Sequence, residues 1–142
     1  NLINAEAFAK KKNIEIVTSY QSEAVNHEAE IYINISTTDE EFSYAGTIFA
    51  NTSRIISIMN MRVEAEIKPN MLFISNNDKP GFIGSLGTLL GDKKVNIASF
   101  YLGRTGSGEA VALLELDQFL AEDIVSSLVS LRNVKKVKVL KF

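Results

Sequence analysis

Between Asn76 and Phe100 the chain reads NNDKPGFIGSLGTLLGDKKVNIASF, and this stretch gathers the residue types best placed to do chemistry. Asp78, Lys79 and Pro80 lead into Gly81, Gly84 and Gly87, three residues apart, with Asn76 just before them and Asn96 further on. A dinucleotide fingerprint needs G-x-G-x-x-G directly after a strand, and a Walker loop needs G-x-x-x-x-G-K-[ST]. Neither spacing is present. Glycines at this interval run down roughly one side of a helix, where each costs about 1 kcal/mol relative to alanine. The spacing alone favours a close approach along that side, by a neighbouring helix, a partner chain or a small ligand.

The flanking residues narrow the choice. Pro80 suits the first turn of a helix, where its missing N–H costs nothing. The amides around Gly81, Phe82 and Ile83 would then point outward at the positive end of the helix dipole, where a carboxylate is stabilised. Asp78 would hold an ammonium, and the asparagines would pair with a polar side chain. A small zwitterion thus finds a partner for every donor and acceptor, which is the condition for burying it. A phosphate fits less well, because Asp78 repels it and only Lys79 is near. The chemistry expected is the binding of a free amino acid.

The remaining polar clusters carry less. His27 is the single histidine and sits in the polar stretch SEAVNHEAE, so a metal pair is excluded and a loop position expected. Glu40 with Glu41, and Glu64 with Glu66, fall on the polar faces of expected strands. No nucleophile–base pairing is evident, and the chain reads as non-catalytic. Lys135, Lys136, Lys138 and Lys141 interleave with Val134, Val137 and Val139, as in an edge strand guarded by charge.

The elements that must position these groups follow from periodicity. With 142 residues, 46% hydrophobic and 23% charged, the composition is that of one globular domain or two small ones. A net charge of −2 gives no field for nucleic acid or acidic lipid, and no apolar run reaches the roughly 20 residues a membrane helix needs. No cysteine is present, which removes disulfides and thiolate chemistry and fits a cytoplasmic location. The N-terminal stretch lacks the order of a signal peptide, and the chain reads as a piece of a longer protein.

Leu2 to Lys12 form an expected helix, with Leu2, Ile3, Ala5, Phe8 and Ala9 on one stripe and lysines in the last turn. IEIVTSY, EAEIYINIS, EEFSYAGTIFA and MRVEAEI read as strands, with a turn at TTDEE; NTSRIISIMN fits either strand or short helix. Lys68-Pro69-Asn70 is the expected boundary, dividing the chain into 1–68 and 69–142. The second unit runs MLFIS (strand), PGFIGSLGTLLGDKK (helix, with Phe82, Ile83, Leu86, Leu89 and Leu90 inward) and VNIASFYLG (strand). GRTGSG is a turn, EAVALLELD a strand, FLAEDIVSSLVSLRN a helix and VKKVKVLKF a strand. This βαββαβ order predicts a ferredoxin-like sheet with both helices on one face, its other face and one edge free. The fold class expected is α+β, the ferredoxin-like unit preceded by a mostly β unit with one N-terminal helix. So small a unit is naturally completed by a second copy.

DKPGFIGSLGTLLGDKKVNIASFYLGR, Asp78 to Arg104, resembles the ACT domain of the D-3-phosphoglycerate dehydrogenase family. NLINAEAFAKKKNIEIVTSYQS and GTIFANTSRIISIMNMRVEAEIKPNMLFISNNDKPG resemble the intervening, allosteric substrate-binding-like domain of its long forms, here truncated at its N-terminus. The resemblance implies feedback binding of L-serine between ACT domains that pair side by side into one sheet. It implies Asn76, Asp78 and Asn96 as the side chains that contact serine, with Pro80, Gly81, Phe82 and Ile97 lining the rest. It also implies a candidate anion site at Arg54, Arg62 and Lys68, where Glu66 and Glu115 replace arginines of some relatives. The parent would be an NAD-dependent dehydrogenase of serine biosynthesis whose catalytic domains lie outside this chain. Two alternatives stay open: the regulatory part of an iron–sulfur L-serine dehydratase, and an ACT module that serves oligomerisation alone.

Overall fold

Two antiparallel four-stranded sheets, one helical layer and a short N-terminal helix make up the computed structural model, which describes residues 4–20 and 29–142. Helix α1 spans Ala5–Lys11, with Glu6 in its first turn and Lys10 and Lys11 in its last, the arrangement that suits the helix dipole. None of its residues is buried, and Phe8 is largely exposed. The expected strand over IEIVTSY is absent: residues 14–20 form no ladder, and Ile14, Ile16, Val17 and Tyr20 stay open to solvent. Alternation signals a strand only where another strand supplies hydrogen bonds and a core supplies burial, and the described residues supply neither here. His27, Leu2 and Ile3 lie outside the described residues.

The first sheet is a meander of β1 (Glu30–Ser36), β2 (Glu41–Phe49), β3 (Thr52–Ile58) and β4 (Met61–Glu66), in that spatial order. The expected turn at TTDEE joins β1 to β2, and the Thr37 hydroxyl accepts the Glu40 amide at 2.9 Å. The ambiguous NTSRIISIMN is strand. Two-residue turns flank it, Ala50-Asn51 and Met59-Asn60, all four with positive φ. That is the backbone hand that matches strand twist in a tight hairpin, and asparagine in the second position adopts it readily.

Ile67 to Pro69 lead into the second sheet, which has the spatial order β6-β7-β5-β8. Its elements are β5 (Asn70–Asn77), α2 (Phe82–Asp92), β6 (Ile97–Arg104), β7 (Glu109–Leu116), α3 (Glu122–Val129) and β8 (Val134–Lys141). This is the ferredoxin-like arrangement that the order of elements predicts. Leu72 and Ile74 of β5, and Ala112, Leu114 and Leu116 of β7, pack under Phe82, Leu86 and Leu90 of α2 and Ile124 and Leu128 of α3. Ile83, expected inward, is 54% exposed. Phe82, Leu86 and Leu90 form the buried stripe, and Ile83 stands 100° round from it at the start of the helix.

The opposite face of this sheet, expected to be free, is covered. Met71, Val111 and Leu113 form a second core with Ile58, Met61, Val63 and Ala65 of the first sheet. Lys136 of β8 also lies over the Phe42 ring of β2, 5.3 Å from its centroid. The backbones come closest at Gly103 of β6. A Cβ there would sit 3.0 Å from the Arg62 carbonyl oxygen and 3.0 Å from Met61 Cβ. Backbone atoms cannot give way, so Gly103→Ala should destabilise the chain by about 1–3 kcal/mol. Gly106→Ala, where a Cβ meets nothing, should not. Denaturant unfolding compares the two; equal midpoints would show that the seam tolerates a methyl group.

Candidate functional site

The end of β5 and the start of α2 build a cleft. Along β5 the side chains alternate, Leu72 and Ile74 turning to the helices, and Asn76 comes next in that row. Asn76 is therefore carried into the core edge and is 2% exposed. Its amide nitrogen donates to the Asn77 carbonyl at 2.9 Å, while its Oδ1 is buried with no donor among the described residues. A buried acceptor left unpaired costs on the order of 1–3 kcal/mol.

After β5 the Asp78 amide donates to the Gly108 carbonyl at 2.8 Å, and the chain turns through Lys79 and Pro80. Helix α2 starts two residues later than expected. Pro80 precedes the N-cap instead of opening the first turn, and Gly81 is the N-cap with φ 91°. No side chain caps the turn, so the first amides of α2 carry its positive dipole end uncovered. Asn76, Asp78, Lys79, Pro80, Gly81, Phe82 and Ile83, with Gly84, Leu102 and Arg104, line a cleft of about 300 Å³.

Arg104 was not anticipated. It follows Phe100 and Leu102 on the row of β6 that faces the helices, and β5 and β6 both run antiparallel to β7, so their ends meet at one edge of the sheet. Its Nε and Nη2 donate to Asp78 Oδ2 at 2.7 and 2.6 Å. The readable signal was topology: two parallel strands that flank a third finish side by side.

Asn96 and Ile97 lie elsewhere. They stand at the start of β6, where Ile97 pairs with Leu116, and Arg104 pairs with Ala110 at the far end. Seven strand steps separate them, roughly 23 Å at 3.3 Å per residue. Asn96 donates to Asp117 Oδ2 at 2.6 Å there. Within one chain, Asn76, Asp78, Pro80, Gly81 and Phe82 come together, and Asn96 and Ile97 do not join them. The glycine stripe is open too, since a Cβ at Gly81, Gly84 or Gly87 meets nothing within 4 Å. The close approach that the spacing favours is not made among the described residues.

The candidate anion residues divide likewise. Arg54 of β3 stands opposite Glu66 of β4, its Nε buried and unpaired among the described residues, with its guanidinium 6.0 Å from the Phe49 ring centroid. Lys68 binds Glu66 at 2.6 Å. That hydrogen bond holds its ammonium above the usual lysine range; burial opposes the shift, and Glu66, Glu115 and Tyr101 reinforce it. Arg62 lies near the other end of β4, exposed and paired with Glu64.

Residues 1–59 match the family model of the D-3-phosphoglycerate dehydrogenase intervening domain, and residues 70–133 match the ACT domain. The chain joins an intervening domain of the D-3-phosphoglycerate dehydrogenase family to an ACT domain. It is 35% identical over 141 residues to the D-3-phosphoglycerate dehydrogenase of Methanocaldococcus jannaschii, covering 99% of this chain and 27% of that relative. Against the enzyme of the same name from Bacillus subtilis the figures are 27% over 142 residues, 99% and 27%. Against that of Synechocystis they are 28% over 137 residues, 95% and 25%. The chain thus spans about a quarter of the length of these relatives. Among the described residues no helix is long and apolar enough to cross a membrane, and no cluster of potential metal ligands occurs.

The two glycines of the ACT cleft should respond oppositely to alanine. Gly81→Ala forces a side chain into the left-handed region and should lower stability by about 1–2 kcal/mol. Gly84→Ala enters helix with open space around it and should raise stability by up to about 1 kcal/mol. Thermal melts of both variants test the assignment of Gly81 as N-cap, which fails if their signs agree.

Proposed function

We propose that this chain is the regulatory region of a D-3-phosphoglycerate dehydrogenase and binds L-serine at a paired ACT interface for feedback control. The parent would be an NAD-dependent oxidoreductase of serine biosynthesis. The match of residues 1–59 to that enzyme's intervening domain favours it over the serine dehydratase alternative. The observation that carries the ligand reading is Asn76. A buried acceptor without a donor, beside uncapped helix amides and a carboxylate, supports a small ligand that brings its own donors.

In this reading the α2 amides take the serine carboxylate, Asp78 its ammonium, and Asn76 Oδ1 its hydroxyl. Asn96 and Ile97 join only from a second copy. Strand β6 is a sheet edge, and pairing it antiparallel with itself about a twofold axis at Tyr101 sets Ser99 opposite Gly103 and, across the bulge between Ile97 and Ser99, Ile97 opposite Arg104. The partner subunit's Asn96 would then stand at the mouth of this chain's cleft, so two chains complete two sites. A ligand held between chains favours one relative placement of the pair, which is the differential affinity that regulation requires. ACT pairing without a ligand is the rival outcome.

Titration calorimetry tests the reading. The wild-type chain should bind L-serine, and Asp78→Ala and Asn96→Ala should each lose at least about tenfold in affinity while sedimenting as the same dimer. No heat and no melting shift with serine, glycine or other amino acids would leave only the oligomerisation module.

A further inference from the structure

Arg104 lines the cleft, and the amino-acid reading assigns it no role. Asp78 is the group meant to hold an ammonium, yet Arg104 already occupies it through two donors on a single oxygen. The pair is unevenly exposed, with the Arg104 side chain 63% accessible and that of Asp78 23%. Arg104 can therefore swing into solvent, while the backbone of Asp78 is held by the hydrogen bond from its amide to the Gly108 carbonyl.

We propose that Arg104 is a specificity-determining residue that exchanges Asp78 for the carboxylate of an incoming α-amino acid; this rests on the amino-acid reading above. The ligand ammonium takes Asp78 as the guanidinium releases it, and the ligand carboxylate is shared between Arg104 and the first amides of α2, which line the same cleft. Asp78 and Arg104 each keep a partner before and after binding. An amine without a carboxylate breaks the pair and leaves Arg104 to water. A carboxylate without an ammonium meets Asp78, which is less exposed and less screened. The cleft thus selects ligands that carry both charges at the spacing of one carbon. Because Arg104 is well exposed, its contribution falls at the lower end for a charge-assisted contact, about tenfold in affinity.

The test uses the whole 142-residue chain and three probes: L-serine, ethanolamine, which lacks the carboxylate, and 3-hydroxypropanoate, which lacks the ammonium. Wild type should bind serine at least about tenfold more tightly than either. Arg104→Gln should lose about tenfold for serine and little for ethanolamine, so that the ratio between them collapses, and Arg104→Lys should recover part of it. Melting curves check that both variants fold. If folded Arg104→Gln binds serine as tightly as wild type, or more tightly, Arg104 only competes for Asp78 and this proposal alone is overturned. If wild type binds no amino acid at all, the amino-acid reading falls and takes this proposal with it.

Discussion

Strands β5 and β7 are covered on both faces, and the arrangement of everything else follows from that double burial. Residues 110 to 114 of β7 are all buried without a break, and Met71, Leu72 and Ile74 of β5 are buried too. Such strands read as continuous apolar runs because each face needs its own apolar set. The helices supply one cover and the meander of β1 to β4 supplies the other. Burying a Leu or Met side chain contributes roughly 1.5–3 kcal/mol, so the second core, with Met61, Met71 and Leu113 at its centre, is a substantial share of the stability of either unit. The two sheets are held by a packed core, and a change in one is felt mechanically by the other.

That packing places two neighbouring residues in different roles. Gly103 faces β4 and has no room for a side chain, whereas Arg104 faces the helix layer and reaches Asp78. A one-residue step along β6 therefore separates the seam between the sheets from the mouth of the cleft. Alternation of side chains across a strand is the cause. The seam and the cleft share one stretch of backbone without sharing a side chain.

Much of this was legible in the sequence. The order of the ACT elements follows from periodicities of 2.0 and 3.6 and from turn residues, and the cleft residues Asn76, Asp78 and Gly81 follow from their place before a helix. Other features were hidden for definite reasons. IEIVTSY carries strand chemistry but has no partner strand among the described residues, which composition cannot reveal. EAVALLELD announces two-sided burial in its unbroken apolar run, yet the βαββαβ order alone suggests one free face. Arg104 required the step from topology to register: β5 and β6 are parallel, so their ends meet. The same step places Asn96 at the opposite end of β6, away from the cleft of its own chain.

The two candidate sites differ most in their charge balance. At the junction of the sheets, Arg54 and Lys68 face Glu66 and Glu115, two cations against two anions, and Lys68 is already committed to Glu66. An added anion there gains two attractions and meets two repulsions at comparable distances, and little net energy remains after screening. The ACT cleft balances Asp78 against Arg104 and carries Lys79 besides; its uncapped helix end adds about half a positive charge on fixed amides, and Asn76 adds an acceptor unpaired among the described residues. Fixed dipoles and an unmet hydrogen bond persist whatever mobile side chains do, so they reward a ligand in a way that a neutralised pair cannot. The asymmetry between the two sites lies in groups that cannot rearrange to satisfy themselves.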